Sequence, residues 1–253
     1  MNQKLSFVKR PNLPERDVAL AAMSGTYPFL SEALQKQGVE ILEIPPASGI
    51  ADPVSSHADM VCHHLGDREI FVLRSEQNLA AKLETLRFQI RLTEKYPRPE
   101  YPFDVLLNAA RVGERVLLHP DYVDPCFFRN LQGQGAALVP VKQGYVKCSC
   151  AVISEHAVIT SDPGIYQAAV QNQIDVLLVS PGNILLKGYP YGFLGGCCGL
   201  IGPKKLAFTG SLKNHPDSPS IMRFLEKLEV ETVFLSDGPL LDIGGILPLK
   251  EYG

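Results

Sequence analysis

The sequence predicts an α/β chain, a five-fold pseudo-symmetric β/α propeller whose fifth unit is closed by the N-terminus. Three observations lead there. Four segments repeat one β-hairpin pattern, and taking Asp67, Glu114, His156 and Lys204 as equivalent turn positions spaces them 47, 42 and 48 residues apart. A helix-and-strand pair fills most of the intervals, and each terminus carries an apolar stretch that lacks a partner of its own. A repeat near forty-five residues whose last unit is completed by the first closes a ring and hides sheet edges.

The elements follow in order. DVALAA (17–22) is a lone apolar stretch leading into a helix, TYPFLSEALQKQ (26–37), and a strand, GVEILEIPP (38–46). The first hairpin is HADMVCHHLGDREIFV (57–72); the long helical stretch 75–96 after it leaves that unit with no identifiable third strand. The second hairpin, DVLLNAARVGERVLLH (104–119), precedes a looser helix-and-strand copy, 121–132 with 136–141, and GQGAAL (133–138) reads as the helix end. In the third unit, CSCAVISEHAVITSD (148–162) is the hairpin, Asp162 caps a helix with Pro163 in its first turn, and Ile165, Ala168 and Ala169 share a face. The strand IDVLLVSPG (174–182) follows, then a Gly- and Tyr-rich loop (180–196) of a length that suits a lid. The fourth hairpin is GCCGLIGPKKLAFTGS (196–211), with Lys213 and His215 expected to be exposed just beyond it. A helix with Ile221, Phe224, Leu225 and Leu228 at helical spacing leads to the strand 231–238. LLDIGGILPL (240–249) is half a hairpin, and DVALAA completes it.

Composition bounds the rest. The chain has 253 residues, 45% hydrophobic and 20% charged, which suits one folded domain over 1–253. With 24 basic against 27 acidic residues it has no charge excess for nucleic acid or an anionic membrane. No apolar run approaches a bilayer span and MNQKLSFVKR carries no signal core, so a cytoplasmic protein is expected. Six cysteines without a CxxC pair read as reduced thiols. No phosphate-binding loop, GxSxG elbow or HExxH occurs.

Five such units closed by the N-terminus resemble the pentein, or guanidino-group-modifying, superfamily. GYVKCSCAVISEHAVITSD (144–162) is similar to a segment of dimethylarginine dimethylaminohydrolases that begins His-Leu-Lys, and LLDIGGILPL resembles the Gly-Gly strand that carries the nucleophilic cysteine of arginine and agmatine deiminases. The resemblance implies thiolate attack on a guanidinium carbon, a histidine acid/base and carboxylates that hold the cation. Here Tyr145-Val146-Lys147 stands where that histidine would be, and Ile246-Leu247-Pro248 follows Gly244-Gly245 where the cysteine would be. Asp59 keeps the type of a substrate-binding carboxylate.

In a propeller the first hairpin strands line a central channel, so residues distant in sequence converge there. Those strands carry His57, Asp59, Cys62, His63 and His64, then Asn108, then Lys147, Cys148 and Cys150, then Cys197 and Cys198, and finally Asp242. The expected nucleophile is Cys197 or Cys198, set among glycines so that substrate can approach the backbone. Asp59 holds the cationic end, while His63, Tyr145 or Lys147 handles the proton. His57, Asn108, Cys148, Cys150 and Asp242 are the expected substrate-binding residues, with His57 and Asp59 on one face of a strand and Cys148 and Cys150 on one face of another. The plainer alternative makes the cysteines small buried hydrophobes, Asp59 a turn cap and His57 a solvated loop residue. No cofactor is expected; the expected partner is a small polar metabolite in the channel, with a homodimer admitted. The alternative function is a catalytically silent chain that binds a small ligand or a metal in the same channel.

Overall fold

The computed structural model describes residues 4–253. The chain runs β1 (Leu5–Phe7), β2 (Val18–Ser24), α1 (Pro28–Lys36) and β3 (Glu40–Ile44), then α2 (Ala58–Val61), β4 (Cys62–Gly66), β5 (Glu69–Val72), α3 (Gln77–Thr85) and β6 (Gln89–Leu92). Next come β7 (Ala110–Val112), β8 (Arg115–Leu118), α4 (Pro125–Gly133) and β9 (Ala137–Pro140), then α5 (Val146–Ser149), β10 (Cys150–Ser154), β11 (Ala157–Thr160), α6 (Pro163–Gln171) and β12 (Asp175–Leu178). The last stretch is β13 (Ile184–Leu185), β14 (Cys198–Gly202), β15 (Lys205–Phe208), α7 (Ser218–Lys227), β16 (Glu231–Phe234), β17 (Leu240–Leu241) and β18 (Leu247–Tyr252).

Four three-stranded sheets repeat one topology, an antiparallel hairpin followed across a helix by a parallel third strand: β4-β5-β6, β7-β8-β9, β10-β11-β12 and β14-β15-β16. The fifth sheet has the order β1-β18-β2-β3, in which the C-terminal strand pairs antiparallel with β2, Leu247 opposite Ala22. β1 adds an edge strand that the sequence pattern did not show. The sheets remain separate, and no single closed sheet forms among the described residues. Neighbouring units touch through their first strands, β10 against β7 and β14, and β14 against β18.

One local device recurs in all five units. The helices α1, α3, α4, α6 and α7 each end two residues before a left-handed residue, namely Gly38, Arg87, Gly135, Gln173 and Glu229, and the next strand begins two residues later. A left-handed residue past the helix end lets backbone N–H groups close on the last carbonyls, as Arg87 N does on Glu84 O at 2.8 Å and Phe88 N on Leu83 O at 3.1 Å. This corrects the reading of 75–96 as one long helical stretch: the helix stops at Thr85, and β6 is the third strand. None of β6's four residues is buried, and Gln89-Ile90-Arg91-Leu92 is too short an alternation to stand out from the helical stretch before it.

The helices bury the faces their spacing implies. Asp162 accepts from Ile165 N at 2.8 Å and α6 buries Ile165 and Ala169, while α7 buries Ile221 and Leu225. Asp124 caps α4 by accepting from Cys126 N at 2.9 Å. His215, expected to be exposed, is buried and accepts from Asp217 N through Nδ1. None of the described helices is long and apolar enough to cross a membrane.

Candidate functional site

The segments that run into β4, β7, β10, β14 and β18 each turn tightly just before their strand, and those turns meet. Asp59 lies on α2, Asn108 in a turn closed by its N–H to Val105 O, Cys148 on α5, Gly196 in a short 3-10 turn (Leu194–Cys197), and Asp242 ahead of Gly244. The hairpin strands therefore start later than their sequence suggests. Met60 and Val61 N–H both close on His57 O, and Ser149 N–H closes on Tyr145 O, so His57 and Asp59 share no strand face, nor do Cys148 and Cys150. Four apolar and polar residues in a row fit one helical turn as well as a strand, which is why periodicity cannot separate them.

Cys148 is the centre of the arrangement. Its sulfur donates to Asp59 Oδ2 at 3.0 Å, and Asn108 Nδ2 reaches it at 3.4 Å while also donating to Asp59 O at 3.2 Å. Asn108 Oδ1 takes Lys147 N at 2.7 Å, so one amide ties three of the turns together. His57 Nδ1 lies 3.7 Å from Asp242 Oδ1, and His57, Asp59 and Cys148 present ligand atoms within 4.8 Å of one another. Asp242 is held by Phe193 N on Oδ2 at 2.8 Å and Gly244 N on Oδ1 at 3.1 Å. Two buried atoms here have no hydrogen-bond partner in the protein, His57 Nδ1 and Asp59 Oδ1.

Burial sets the protonation states. Desolvation raises Asp59 to about 6 against the pull of Lys147 and His57. Desolvation, then Asp59 and Asp242, pushes the Cys148 thiol well up, so the resting sulfur keeps its proton. His57, Cys148 and Asp242 line a cavity of ≈240 Å³, and Asp59 sits directly behind Cys148. Its walls include Tyr145 together with Leu186, Tyr189, Tyr191 and Phe193 from the loop 180–196. β13 of that loop pairs with β17 beside Asp242, which pins the loop over the opening.

The other expected residues are placed differently. Cys197 and Cys198 are buried, both thiols donate to Leu194 O, at 3.1 and 3.3 Å, and neither lines the cavity. The expected approach of a ligand through the glycines around them is filled by packing: a Cβ on Gly196 would overlap the Asp242 carboxylate and one on Gly199 the backbone of Ile246. Cys150 is fully buried, burial lifts its thiol to about 12, and it lies outside the cavity lining. His63 packs its ring 4.7 Å from Phe127, desolvation lowers it to about 3, and it lies outside the cavity lining. Tyr145 donates its hydroxyl to Asp104 at 2.6 Å and turns its ring to the cavity, while Lys147 points Nζ back at Gly195 O, 3.5 Å away. His57 is buried rather than solvated. Asp104, which fixes Tyr145, was not singled out in the sequence, where nothing in PFDVLL marks it. Gly244 (φ +74°) is needed because a Cβ there would collide with the His57 side chain.

A family described as of unknown function, DUF6873, matches residues 23–247. The chain belongs to that family. Among curated proteins none matches this DUF6873 chain in sequence. Solved structures do match it in fold. The inosamine-phosphate amidinotransferase of Streptomyces griseus aligns at TM-score 0.58 and 12% identity, covering 93% of this chain and 92% of that one. The C. jejuni agmatine deiminase aligns at 0.54 and 10%, covering 93% and 92%. DDAH from Pseudomonas aeruginosa, in complex with citrulline, aligns at 0.52 and 12%, covering 88% and 96%. The fold of the DUF6873 chain is thus that of the penteins. Within that fold Tyr145 is tied to Asp104, and Ile246-Leu247-Pro248 is core: Ile246 and Leu247 are buried, and Leu247 and Pro248 pair with β2.

Proposed function

We propose that the chain is a thiol-dependent hydrolase or transferase acting on the amidine or guanidine carbon of a small cationic metabolite, with Cys148 as nucleophile. The observation that carries this is a cysteine lining a cavity with a carboxylate oxygen 3.0 Å from its sulfur and a second carboxylate, Asp242, in the same lining. The resting thiol is kept neutral by burial and by those two negative charges. A cation bound against them cancels the repulsion, so the thiolate forms when substrate is present.

The step balances as follows. Asp59 takes the thiol proton, the Cys148 thiolate forms a C–S bond to the amidinium carbon, and the protonated Asp59 returns the proton as the C–N bond to the leaving amine breaks. Water, or an acceptor amine, then attacks the S-linked carbon. His57 takes the proton from that nucleophile, the C–S bond breaks, and the sulfur recovers the proton. Asn108 holds Asp59, Cys148 and Lys147 in register throughout. The five units are arranged in this reading as blades of one propeller domain around the cavity, and six unpaired thiols suit a reducing cytoplasm.

The test is amine or ammonia release from a panel of amidines and guanidines, with quenched protein examined by peptide mass spectrometry. Turnover that disappears in Cys148→Ser, with a mass increment on the Cys148 peptide in wild type, is the expected result. Absence of both from correctly folded protein overturns it. The second reading is supported by the His57–Asp59–Cys148 trio, whose nitrogen, oxygen and sulfur are a zinc-type donor set. It expects about one zinc per chain bound through those residues and lost in Cys148→Ser.

A further inference from the structure

The walls of the cavity differ in kind from its floor. The floor carries His57, Cys148 and Asp242, with Asp59 behind them, while the walls are Val54, Leu186, Phe193 and the tyrosines 145, 189 and 191. Among the described residues, no lysine or arginine lines this cavity. Lys147 stays outside the lining with its Nζ 3.5 Å from Gly195 O; its charge is felt by Asp59 behind the floor, which leaves Asp242 as the carboxylate in the lining itself. Tyr145 spends its hydroxyl on Asp104 and so presents a ring, and that ring lies 6.3 Å from Phe193, which in turn meets Tyr191 edge-on at 6.4 Å.

From this we infer that the substrate is a cation with a compact apolar or aromatic tail and no carboxylate or phosphate. The inference rests on the proposed reaction at Cys148 and specifies its substrate class. The head group has a reason to enter: two buried carboxylates attract a cation, and Asp59 Oδ1 and His57 Nδ1 have no protein partner. A cationic plane in that position also faces aromatic rings, an attraction that grows where water is excluded. The tail is specified by what it would touch. An acid group would lie among rings and aliphatic side chains with Asp242 as its charged neighbour, unpaired and repelled. An apolar tail instead covers Val54, Leu186 and Phe193. A volume of ≈240 Å³ falls below the ~300–1,000 Å³ usual for drug-sized ligands, so the tail is short.

An adjoining cavity shares His57, Leu186 and Asp242 and is the competing route for a polar tail. It contains one lysine, Lys187, together with Asp52, and its hydroxyls on Ser24, Thr26 and Ser56 already bond one another at 2.7 to 3.0 Å. Its single lysine is outnumbered by two carboxylates, Asp52 and Asp242, so it gives an acid group no net attraction.

The experiment is calorimetric titration of the full chain as Cys148→Ala, which cannot react, with three probes: phenethylguanidine, L-arginine and the neutral isostere phenethylurea. Phenethylguanidine is expected to bind at least tenfold more tightly than either of the others, and Phe193→Ala to weaken it at least fivefold with the melting temperature kept within a few degrees. Arginine binding as tightly as phenethylguanidine overturns the inference on the tail and leaves the cationic site standing. Phenethylurea binding as tightly overturns the cationic site itself, and with it the proposed reaction. No binding of any probe at millimolar concentration overturns both.

Discussion

Two turns that lead into neighbouring hairpins carry cysteines, and these come out opposite. Cys148 ends up on α5 ahead of β10, whereas Cys197 ends a 3-10 turn and Cys198 opens β14. All three are buried, and burial raises all three thiols, Cys198 to about 12. The difference is what faces the sulfur. Cys148 has a carboxylate on one side and a cavity on the other; Cys197 and Cys198 both give their proton to one carbonyl, Leu194 O, in packed backbone. Burial alone therefore does not tell these thiols apart; the groups that face each sulfur do.

The largest expected effect breaks the comparison directly. Cys148→Ala should lower kcat/KM by on the order of 10³-fold or more. Cys197→Ala should keep kcat/KM within about threefold and cost only packing, about 1 kcal/mol by urea unfolding. Equal losses in the two variants would sink the distinction. Next, Gly196→Ala forces a Cβ into the Asp242 carboxylate and should destabilise the fold by about 1–3 kcal/mol or more, with activity lost as Asp242 moves.

Asp59→Asn sharpens the role of the carboxylate. Its folded-state pKa, about 6, is raised above the unfolded value by desolvation, so ionising it costs the native state stability as pH rises from about 4 to about 6. The variant removes that cost: it should be more stable than wild type by about 1–3 kcal/mol above pH 7, with the gap vanishing below pH 4. Its activity should be lost, whereas wild-type kcat/KM should rise with pH through about 6 as Asp59 becomes able to accept the proton. A stability gap independent of pH would show that the buried charge is not its source. The smallest effect is a packing control for Gly196. At Gly133, the last residue of α4, a Cβ meets nothing within 4 Å, so Gly133→Ala should stabilise by about 0.5–1 kcal/mol through helix propensity alone.

The repeat was legible because each copy keeps the same apolar hairpin and helix face. What escaped is equally specific. The helix ends share a left-handed residue that is Gly in only two copies and Arg87, Gln173 and Glu229 in the others, so the third strand after α3 had no marker. Of the residues expected to meet, Asp59, His57, Asn108, Cys148 and Asp242 do lie together. Their division into roles was not legible, because it depends on one-turn helices of four residues that no periodicity resolves.

By itself, then, the sequence determined the unit and its count, through repeated apolar spacing, and the pairing of the two chain ends, through an apolar stretch at each that only the other completes. The tertiary structure alone decided which thiol faces a carboxylate and an opening. That choice is made by side chains from different units meeting across tens to hundreds of residues of chain, Asp59 with Cys148 and His57 with Asp242, and by glycines at 196 and 244 that allow the approach. Local pattern carries the energy of burying a face; the direction a buried sulfur points is fixed only when the neighbouring unit is packed against it.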